Sequence, residues 1–273
     1  MQQHILITGS TDGIGKLAAL KLAADGHSVY VHGRNAAKVA STLEELKTQT
    51  GNQALGSFVC DLSDLEQVRA FGAEVAQSLP KLDVLINNAG VFHSSVATNA
   101  QGIDVRMVVN YLAPYLLTRE ALPSLLAAPA PRVINLSSAA QAPVSMQALA
   151  GKAPLNVNEA YAQSKLAIAM WSVALAQQHP ELNVVAVNPG SLLNTKMVQE
   201  AYGHHWSGAD KGADILCELA TSQDLGHRAG DYFDNDLGNP RGDFGPAHPD
   251  ARDPQKITTL VQATEQLLAA YTG

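Results

Sequence analysis

Two side chains with complementary proton chemistry stand four residues apart in the stretch Tyr161-Ala162-Gln163-Ser164-Lys165. Residues 161–178 are rich in Ala, Leu, Ile and Met and contain neither Pro nor Gly, so they predict a helix that carries both side chains on one face. A nearby ammonium favours a phenolate and lowers a tyrosine pKa from its usual value of about 10. Such a phenol can exchange a proton with a substrate oxygen, although most Tyr…Lys pairs at this spacing are solvated helix faces. The preceding elements must therefore decide between the two interpretations.

A glycine-rich turn follows the first predicted strand. Ile5-Leu6-Ile7 predicts a buried strand, residues 16–24 predict a helix, and Gly-x-x-x-Gly-x-Gly lies between them. Strand, glycine turn and helix in this order favour a dinucleotide pyrophosphate, because glycines allow close backbone approach and a helix N-terminus attracts anions. The alternative is a plain turn before a helix. The expected cofactor-binding residues of this turn are Gly9, Ser10, Thr11, Gly13, Ile14 and Gly15.

The end of the second predicted strand, residues 28–32, bears on the choice of cofactor. In many NAD-binding proteins an acidic residue ends this strand and binds the ribose 2′-hydroxyl, whereas here Gly33 and Arg34 follow it. A guanidinium without a neighbouring carboxylate favours a 2′-phosphate, so NADP(H) is expected rather than NAD(H). The alternative is that Arg34 is a solvated loop residue.

Two further predicted strands end in candidate binding residues. Residues 54–60 lead into Asp61 and Leu62, and Asp61 has two interpretations: contact with an adenine edge, or capping of the next helix. The adenine contact is favoured because Ser63 or Asp64 is the more natural cap. Residues 82–86 lead into a small and amide-rich segment that suits a chain passing close to a ligand. The expected cofactor-binding residues here are Asp61, Leu62, Asn88, Ala89 and Gly90.

Together these motifs resemble the short-chain dehydrogenase/reductase family, in its retinol-dehydrogenase-like and carbonyl-reductase-like branch. The residues that carry the resemblance occur in the family's order: Thr8-Gly9-x-x-x-Gly13-Ile14-Gly15, Asn87-Asn88-Ala89-Gly90, Ser138, Tyr161-x-x-x-Lys165 and Pro189-Gly190. The resemblance implies an α/β fold, a Rossmann-type doubly wound parallel sheet of about seven strands with helices on both faces. It also implies a single domain over residues 1–273, with a variable substrate-binding segment at about 191–222.

The resemblance assigns the catalytic roles. Tyr161 is the proton donor in carbonyl reduction and the base in alcohol oxidation, while Lys165 favours its phenolate and hydrogen-bonds the nicotinamide ribose. Ser138 orients the substrate oxygen, with Ser137 as the competing assignment. Asn110, an interior residue of a predicted helix over residues 104–126, distorts that helix and holds a water that relays protons to the lysine; Pro114 in the same helix marks a kink.

The resemblance also places residues that follow the sixth predicted strand, residues 183–187. Pro189 and Gly190 pack beside the nicotinamide, and Thr195 holds its carboxamide or the phosphates. Hydride then passes between the nicotinamide and a small carbonyl or alcohol substrate. An ordinary strand-ending turn is the alternative for this segment.

The distance from Ser138 to Tyr161, 23 positions, is longer than in many family members. The additional residues, about 143–158, predict a loop with one helical turn. Some monomeric carbonyl reductases of the family carry a longer insertion here, which covers the helix face that other members use for dimerisation. A monomer and a homo-oligomer are therefore both compatible with the sequence.

Residues 196–206 are expected to cover the substrate and contain Tyr202, His204, His205 and Trp206. An aromatic lid over an apolar substrate is favoured over a metal site, because adjacent histidines on a helix point apart and no carboxylate or cysteine completes a ligand set. Beyond it, residues 230–233 predict the last strand, residues 235–253 a surface loop and residues 255–270 the last helix. No metal is expected.

Composition limits the partners. A net charge of −7 argues against nucleic acid or an anionic membrane. Two cysteines favour a reducing cytoplasm, and no apolar run reaches membrane-spanning length. A cytoplasmic enzyme is expected. The alternatives are a catalytically silent NADPH-binding sensor or scaffold, which predicts a damaged Tyr/Lys/Ser/Asn set, and an epimerase or dehydratase, which generally uses another glycine spacing.

Overall fold

The computed structural model describes residues 2–222, 230–238 and 242–271. Within them, eight strands form one sheet in the order β3-β2-β1-β4-β5-β6-β7-β8. Every neighbouring pair is parallel except β7 and β8. The expected Rossmann-type doubly wound sheet is therefore confirmed, with one strand more than predicted.

The strands are β1 (His4–Ile7), β2 (Ser28–Gly33), β3 (Leu55–Val59), β4 (Val84–Asn87), β5 (Arg132–Leu136), β6 (Asn183–Asn188), β7 (Tyr232–Asp234) and β8 (Asp243–Gly245). The helices are α1 (Gly13–Ala24), α2 (Ala36–Thr50), α3 (Leu65–Ser78), α4 (Val105–Met107), α5 (Ala113–Leu126), α6 (Met146–Leu149), α7 (Val157–Gln178), α8 (Lys196–Tyr202), α9 (Asp210–Thr221) and α10 (Pro254–Leu268). None of the helices in the described residues is long and apolar enough to cross a membrane.

Alternation along the buried strands divides the core between the two faces of the sheet. Leu6 of β1 packs in a cluster with residues of α3, α5 and α7, whereas Ile5 and Ile7 pack with residues of α1, α2 and α9. Successive strand side chains point to opposite faces, so a continuous apolar strand requires helices on both. Burial on both faces holds the sheet rigidly between the helices. The candidate functional residues lie at one edge of this sheet.

The C-terminal part of the sheet differs from the prediction. The segment 235–253, expected to be a surface loop, contains β8, which runs antiparallel to β7 and pairs Phe244 with Phe233. Residues 230–233 are therefore not the last strand. A strand of three residues is too short for an alternating pattern to show in the sequence. Its position depends instead on a close approach, since a Cβ on Gly242 would lie 2.4 Å from the Cα of Asn235.

The helix predicted over residues 104–126 is interrupted near its start. It begins as α4, continues as a π-helical turn over Val108–Leu112, and resumes as α5. Asn110 lies in the π-helical turn and Pro114 in the first turn of α5. The expected distortion at Asn110 is confirmed. Single π-helical turns often mark functional sites, because they reorient the side chains on either side.

The insertion and the last helix pack on α7 and its neighbours. The insertion contains one helical turn, α6, as predicted, and Ser145 N–H donates to Gln163 Oε1 of α7 at 2.9 Å. Helix α10 packs against α7, and Thr264 Oγ1 lies 2.7 Å from the hydroxyl of Tyr111. Glu265 accepts a hydrogen bond from Tyr115 of α5. The last helix thus packs on α7 and is bonded to Tyr111 and Tyr115.

Helix α7 starts at Val157, four residues before Tyr161, the start predicted from the sequence. Asn156 accepts from Glu159 N–H at 2.9 Å, and the Glu159 side chain accepts from Asn156 N–H at 3.3 Å. These reciprocal bonds form a capping box, which satisfies two orphan donors at the helix start. The first residues of the helix come from the insertion, so composition did not separate them from the loop before them. Tyr161 consequently lies in the second turn, where fraying is small.

Candidate active site

The candidate residues converge at one edge of the sheet. Strands β1 and β4 are neighbours although β2 and β3 follow β1 along the chain, so the strand order reverses between them. In open parallel sheets, ligands bind outside the carboxyl ends of the strands at this reversal point. The glycine turn follows β1, residues 88–90 follow β4, Ser138 follows β5 and Pro189 follows β6.

The glycine turn packs directly against the segment that follows β4. Gly9 has a φ of +64°, and a Cβ there would lie 2.8 Å from the Cα of Ala89. A Cβ on Gly15 would lie 2.3 Å from Asn88 Nδ2. That amide donates to the carbonyl oxygens of Thr8 at 2.7 Å and Gly9 at 3.1 Å. The glycine turn therefore packs directly on the segment after β4, which leaves no room for a Cβ at Gly9 or Gly15.

Side chains inside the turn hold it to β2. Ser10 is fully buried, and its hydroxyl donates to Ile7 O at 2.8 Å and accepts from His32 N–H at 2.9 Å. The methyl group of Thr11 would lie 2.8 Å from a Cβ on Gly33. The Ser10 hydroxyl is thus engaged by the main chain, and contact of Ser10 or Thr11 with a cofactor stays a prediction. A side chain at position 33 would collide with Thr11, so packing explains why a glycine, and not a carboxylate residue, ends β2.

The first turn of α1 carries backbone donors that the helix itself cannot pair. Asp12 caps the helix by accepting from Gly13 N–H at 2.9 Å. The first-turn N–H groups of Ile14 and Gly15 have no partner within the helix, and such groups attract anions. Thr195 lies beside them, since its Cγ2 would be 3.7 Å from a Cβ on Gly13. Its hydroxyl accepts from Val198 N–H at 3.3 Å and caps α8.

Two cations border the turn near the end of β2. Arg34 is exposed and forms no hydrogen bond or ion pair with any of the residues described. Lys38, in the first turn of α2, lies 2.8 Å from a carboxylate oxygen of Asp12. This hydrogen bond holds the pKa of Asp12 below its ordinary value. Sequence analysis did not single out Lys38, although its position four residues after Arg34 and three after the cap Asn35 was a usable signal.

Asp61 and Leu62 follow β3. Asp61 Oδ1 accepts from the N–H and the hydroxyl of Ser63, at 2.9 and 2.8 Å. Asp64 caps α3 by accepting from Glu66 and Gln67, which removes the capping interpretation of Asp61. Leu62 is buried. Contact of Asp61 or Leu62 with an adenine ring stays a prediction.

Lys165 is the buried cation of the site. Its side chain is 4% exposed, its ammonium donates to Leu136 O at 2.7 Å, and it lies 5.6 Å from the centre of the Tyr161 ring. A Cβ on Gly90 would stand 3.5 Å from the same nitrogen. Burial lowers the pKa of Lys165 to about 8. An ammonium removed from water favours contact with any oxygen anion placed beside it.

Because Lys165 is buried, we expect the free energy of unfolding to depend on pH. Between pH 8 and 10.5 the unfolded chain holds the Lys165 proton more often than the folded chain, so the free energy of unfolding contributed by this residue rises with pH. Relative to Lys165→Met, the wild type should therefore gain stability across this range. The gain should be a few kcal/mol, at about 1.4 kcal/mol per pKa unit.

Urea unfolding of the cofactor-free proteins at pH 7, 8.5 and 10 measures this difference. Lys152→Met, at an exposed lysine of the insertion, is the matched control and should run parallel to the wild type. Parallel curves for Lys165→Met would contradict the prediction.

Asn110 ties the π-helical turn to the segment after β4 and to α7. Its Oδ1 accepts from Val91 N–H at 2.8 Å, and its Nδ2 donates to Val91 O at 3.1 Å and to Ser164 Oγ at 2.9 Å. The side chain is 1% exposed. Asn110 therefore fixes the backbone beside Gly90. The water relay implied by the resemblance stays a prediction.

Tyr161 is held by an aromatic contact that sequence analysis missed. The ring of Phe92 meets the Tyr161 ring edge-on, with centroids 4.9 Å apart. Phe92 is itself held by Arg106, whose guanidinium donates to its carbonyl oxygen at 3.2 Å and to Asp104 at 2.9 Å. No local pattern indicates this contact, because Phe92 and Tyr161 are distant in the chain.

The two candidate serines after β5 have different environments. Ser137 is 3% exposed, and its hydroxyl donates to the carbonyl oxygen of Lys165 at 2.6 Å. Ser138 is half-buried; its hydroxyl accepts from Ala140 N–H at 3.2 Å, and its carbonyl oxygen accepts from Tyr232 at 3.0 Å. Of the two, Ser138 is the more accessible residue.

The segment after β6 covers the site. Helix α8 brings Met197 close to it, since its Cε would lie 3.9 Å from a Cβ on Gly90. His204 and His205 are exposed and Trp206 is 73% exposed, while the Tyr202 side chain lies outside the described residues. Within the described residues no group of three or more His, Cys, Asp or Glu could hold a metal ion. Sequence analysis did not single out Met197, and an aromatic lid over the substrate stays a prediction.

Comparisons with known proteins agree with this arrangement. A family model described as short chain dehydrogenase matches residues 3–205. Human retinol dehydrogenase 13 is 30% identical over 250 residues, covering 84% of this chain and 75% of the relative, and human retinol dehydrogenase 11 is 31% identical over 242 residues, covering 84% and 76%.

Solved structures show the same likeness. A protein from Mycobacterium paratuberculosis superposes with a TM-score of 0.80 at 26% identity, covering 97% of this chain and 93% of that one. A protein from Escherichia coli CFT073 described as a short chain dehydrogenase in complex with NADPH gives a TM-score of 0.71 at 28% identity, covering 85% and 95%.

Proposed function

The chain belongs to the short-chain dehydrogenase/reductase family, in its retinol-dehydrogenase branch, and on that premise we propose that it is an NADP(H)-dependent oxidoreductase that interconverts a small carbonyl compound and its alcohol. The observation that carries the proposal is the position of a buried ammonium, Lys165, beside the Tyr161 ring. We further propose that residues 1–273 act as one domain, with residues 191–222 over the substrate.

The cofactor fits the residues present. The glycine turn, which has no side chain at Gly9, Gly13 or Gly15, suits the close approach of a pyrophosphate, with the α1 N-terminus as its anion partner. Asn88, Ala89 and Gly90 follow the neighbouring strand β4 and are proposed to contact the cofactor as well. A bound nicotinamide would supply or accept the hydride. Pro189, Gly190 and Thr195 are proposed to line its binding place, and Asp61 and Leu62 that of the adenine.

The catalytic roles follow from the chemistry of the side chains. Tyr161 gives its proton to the substrate oxygen in reduction and takes it back in oxidation. Lys165 stabilises the phenolate and binds the ribose hydroxyls. Ser138, the more accessible serine, hydrogen-bonds the substrate oxygen. Asn110 holds the backbone near Gly90 and, with a water, links Lys165 to solvent.

The preference for NADP(H) rests on charge at the end of β2. Arg34 has no protein partner among the described residues, so its guanidinium is available to a 2′-phosphate. Lys38 can move from Asp12 to the same phosphate. The likeness to a structure that contains NADPH supports the same choice.

Arg34→Ala should weaken NADPH binding by about 10–100-fold, because a hydrogen bond to a charged group contributes roughly 1.5–3 kcal/mol. NADH, which has no 2′-phosphate, should bind Arg34→Ala and wild type within about threefold. Titration of the purified proteins with both cofactors, followed by nicotinamide fluorescence, measures this. Arg252→Ala, at an exposed arginine in another part of the chain, is the matched control. Equal losses for both cofactors would remove Arg34 from the 2′-phosphate.

An apolar carbonyl or alcohol is the proposed substrate class, and the cytoplasm the proposed location. The retinol dehydrogenases among the relatives support an apolar alcohol or aldehyde. Met197 of α8 lies close to Gly90 and is apolar. A screen of ketones, aldehydes and quinones with the preferred cofactor tests the proposal. Tight NADPH binding without turnover of any of them would favour the sensor or scaffold instead.

A further inference from the structure

Three consecutive residues at the end of β7, Asp234, Asn235 and Asp236, hold the turn that follows β6. We call residues 234–236 the β7 clamp and residues 188–191 the β6 turn. Asp234 accepts from the side-chain amide of Asn188 at 2.8 Å. Asn235 is 5% exposed, and its amide donates to the carbonyl oxygen of Pro189 at 2.8 Å. Each clamp residue contacts the β6 turn with its side chain.

Asp236 makes the densest of these contacts. Its carboxylate accepts from Ser191 N–H at 2.9 Å and from the Ser191 hydroxyl at 2.6 Å. It also accepts from Asn188 Nδ2 at 2.9 Å and lies 3.4 Å from the ammonium of Lys211 on α9. Burial opposes the charge, but these donors together hold the pKa of Asp236 below its ordinary value. The carboxylate therefore remains an acceptor for several donors at neutral pH.

The backbone just after the β6 turn is strained. Leu192, next to Ser191, has a φ of +46°, the one non-glycine residue with positive φ among those described. A left-handed conformation costs a residue with a Cβ roughly 1–2 kcal/mol. Such strain persists only where the surroundings fix the backbone, and it is common near functional sites. The bonds from Asp236 to Ser191 supply that restraint one residue before the strained one.

The strained residue also begins the segment that covers the site. Leu192 O accepts from Trp206 N–H at 2.8 Å, and Asn194 N–H donates to Ser207 O at 2.8 Å. Both ends of the segment that carries α8 and Met197 are thus joined near Leu192. A shift of Ser191 would move Pro189 and Gly190 on one side and this segment on the other.

We propose that Asp236 is a positioning residue, which acts through Ser191 to set the β6 turn against the nicotinamide. The inference rests on the proposed function, because it takes the β6 turn as one wall of the nicotinamide site. Asp236 touches neither substrate nor cofactor in this role. It would fix the distance over which hydride moves, while the glycine turn and Arg34 supply most of the binding energy.

Asp236→Asn tests the proposal. The new amide places a donor among the donors of Ser191 and Asn188, so the turn should relax. We expect kcat to fall by about 10–100-fold, since a misplacement of about 1 Å costs that much. The dissociation constant for NADPH should change by less than about threefold, and the kinetic isotope effect with 4-deuterated NADPH should increase. Asp236→Glu should restore part of kcat, because it keeps the acceptor charge.

Asp243→Asn is the matched control, at an exposed aspartate on β8 that pairs with the same strand. It should leave kcat and the isotope effect at wild-type values. If Asp236→Asn only lowered the thermal midpoint, with kcat per folded molecule and isotope effect unchanged, the positioning role would be overturned.

Hydrogen exchange measured on the cofactor-free proteins tests the β7 clamp independently of the proposed function. Asp236→Asn should speed exchange of the Ser191 amide, and unchanged exchange would overturn the clamp whatever the activity. Failure of the wild type to bind NADPH would overturn the proposed function and the positioning role with it, and would leave the exchange result as an independent test of the clamp.

Discussion

Replacing Tyr161 by Phe should reduce kcat by about 10²–10⁴-fold, the usual contribution of a general acid or base. The variant keeps the ring that packs edge-on against Phe92 and loses only the hydroxyl. Helix α7 should keep its position, and the ammonium of Lys165 should keep its hydrogen bond to Leu136 O. NADPH should therefore bind with an affinity within about threefold of the wild type.

Steady-state kinetics with the best substrate of the screen, together with NADPH titration, measures both expectations. Tyr115→Phe is the matched control: it removes a hydroxyl that bonds to Glu265 on α10, away from the sheet edge. The control should lose some stability and keep its turnover. A fully active Tyr161→Phe would refute the assignment of the proton donor.

A single methyl group at Gly15 should have the second-largest effect, this time on binding. A Cβ there would lie 2.3 Å from Asn88 Nδ2 and 2.9 Å from Gly9 O. Asn88 would have to leave, and its bonds to Thr8 and Gly9 would be lost. We expect Gly15→Ala to weaken NADPH and NADH binding alike, by about 100-fold, and to cost roughly 1–3 kcal/mol of stability as an overpacked site.

Calorimetric titration with each cofactor, alongside urea unfolding, measures the two effects separately. Gly26→Ala is the control for loss of a glycine as such. Gly26 has a φ of +84°, and nothing stands within 4 Å of a Cβ built on it. Its variant should lose about 1 kcal/mol of stability through backbone strain and bind cofactor normally. Normal cofactor binding by Gly15→Ala would mean that the glycine turn is not the binding place.

Sequence was most informative where a local pattern has a local cause. The glycine turn lies between a strand and a helix, Asp64 caps its helix as expected, and the misfit of Asn110 inside a helix corresponds to a π-helical turn. In each case the conformational preference belongs to the residue type itself, so it can be recognised from the local sequence. The doubly wound sheet was predicted from the family resemblance that these motifs carry.

Contacts between distant segments were not predictable in this way. The ion pair of Lys38 with Asp12 and the bonds of the β7 clamp join side chains whose partners are set by the sheet order. Strand β8 is only three residues long, and its pairing with β7 depends on a close backbone approach at Gly242. None of these has a periodic signature in the sequence.

The bonds between the π-helical turn and the last helix affect the order of events during synthesis. Tyr111 stands next to Asn110 and bonds to Thr264, and Tyr115 bonds to Glu265, more than a hundred positions later in the chain. A growing chain can complete the sheet up to β6 while α10 is still unmade. Until α10 is released, the apolar face of α5 and α7 is open to solvent and to other chains. The helix layer that holds Asn110 and Lys165 is thus completed only once α10 has been made.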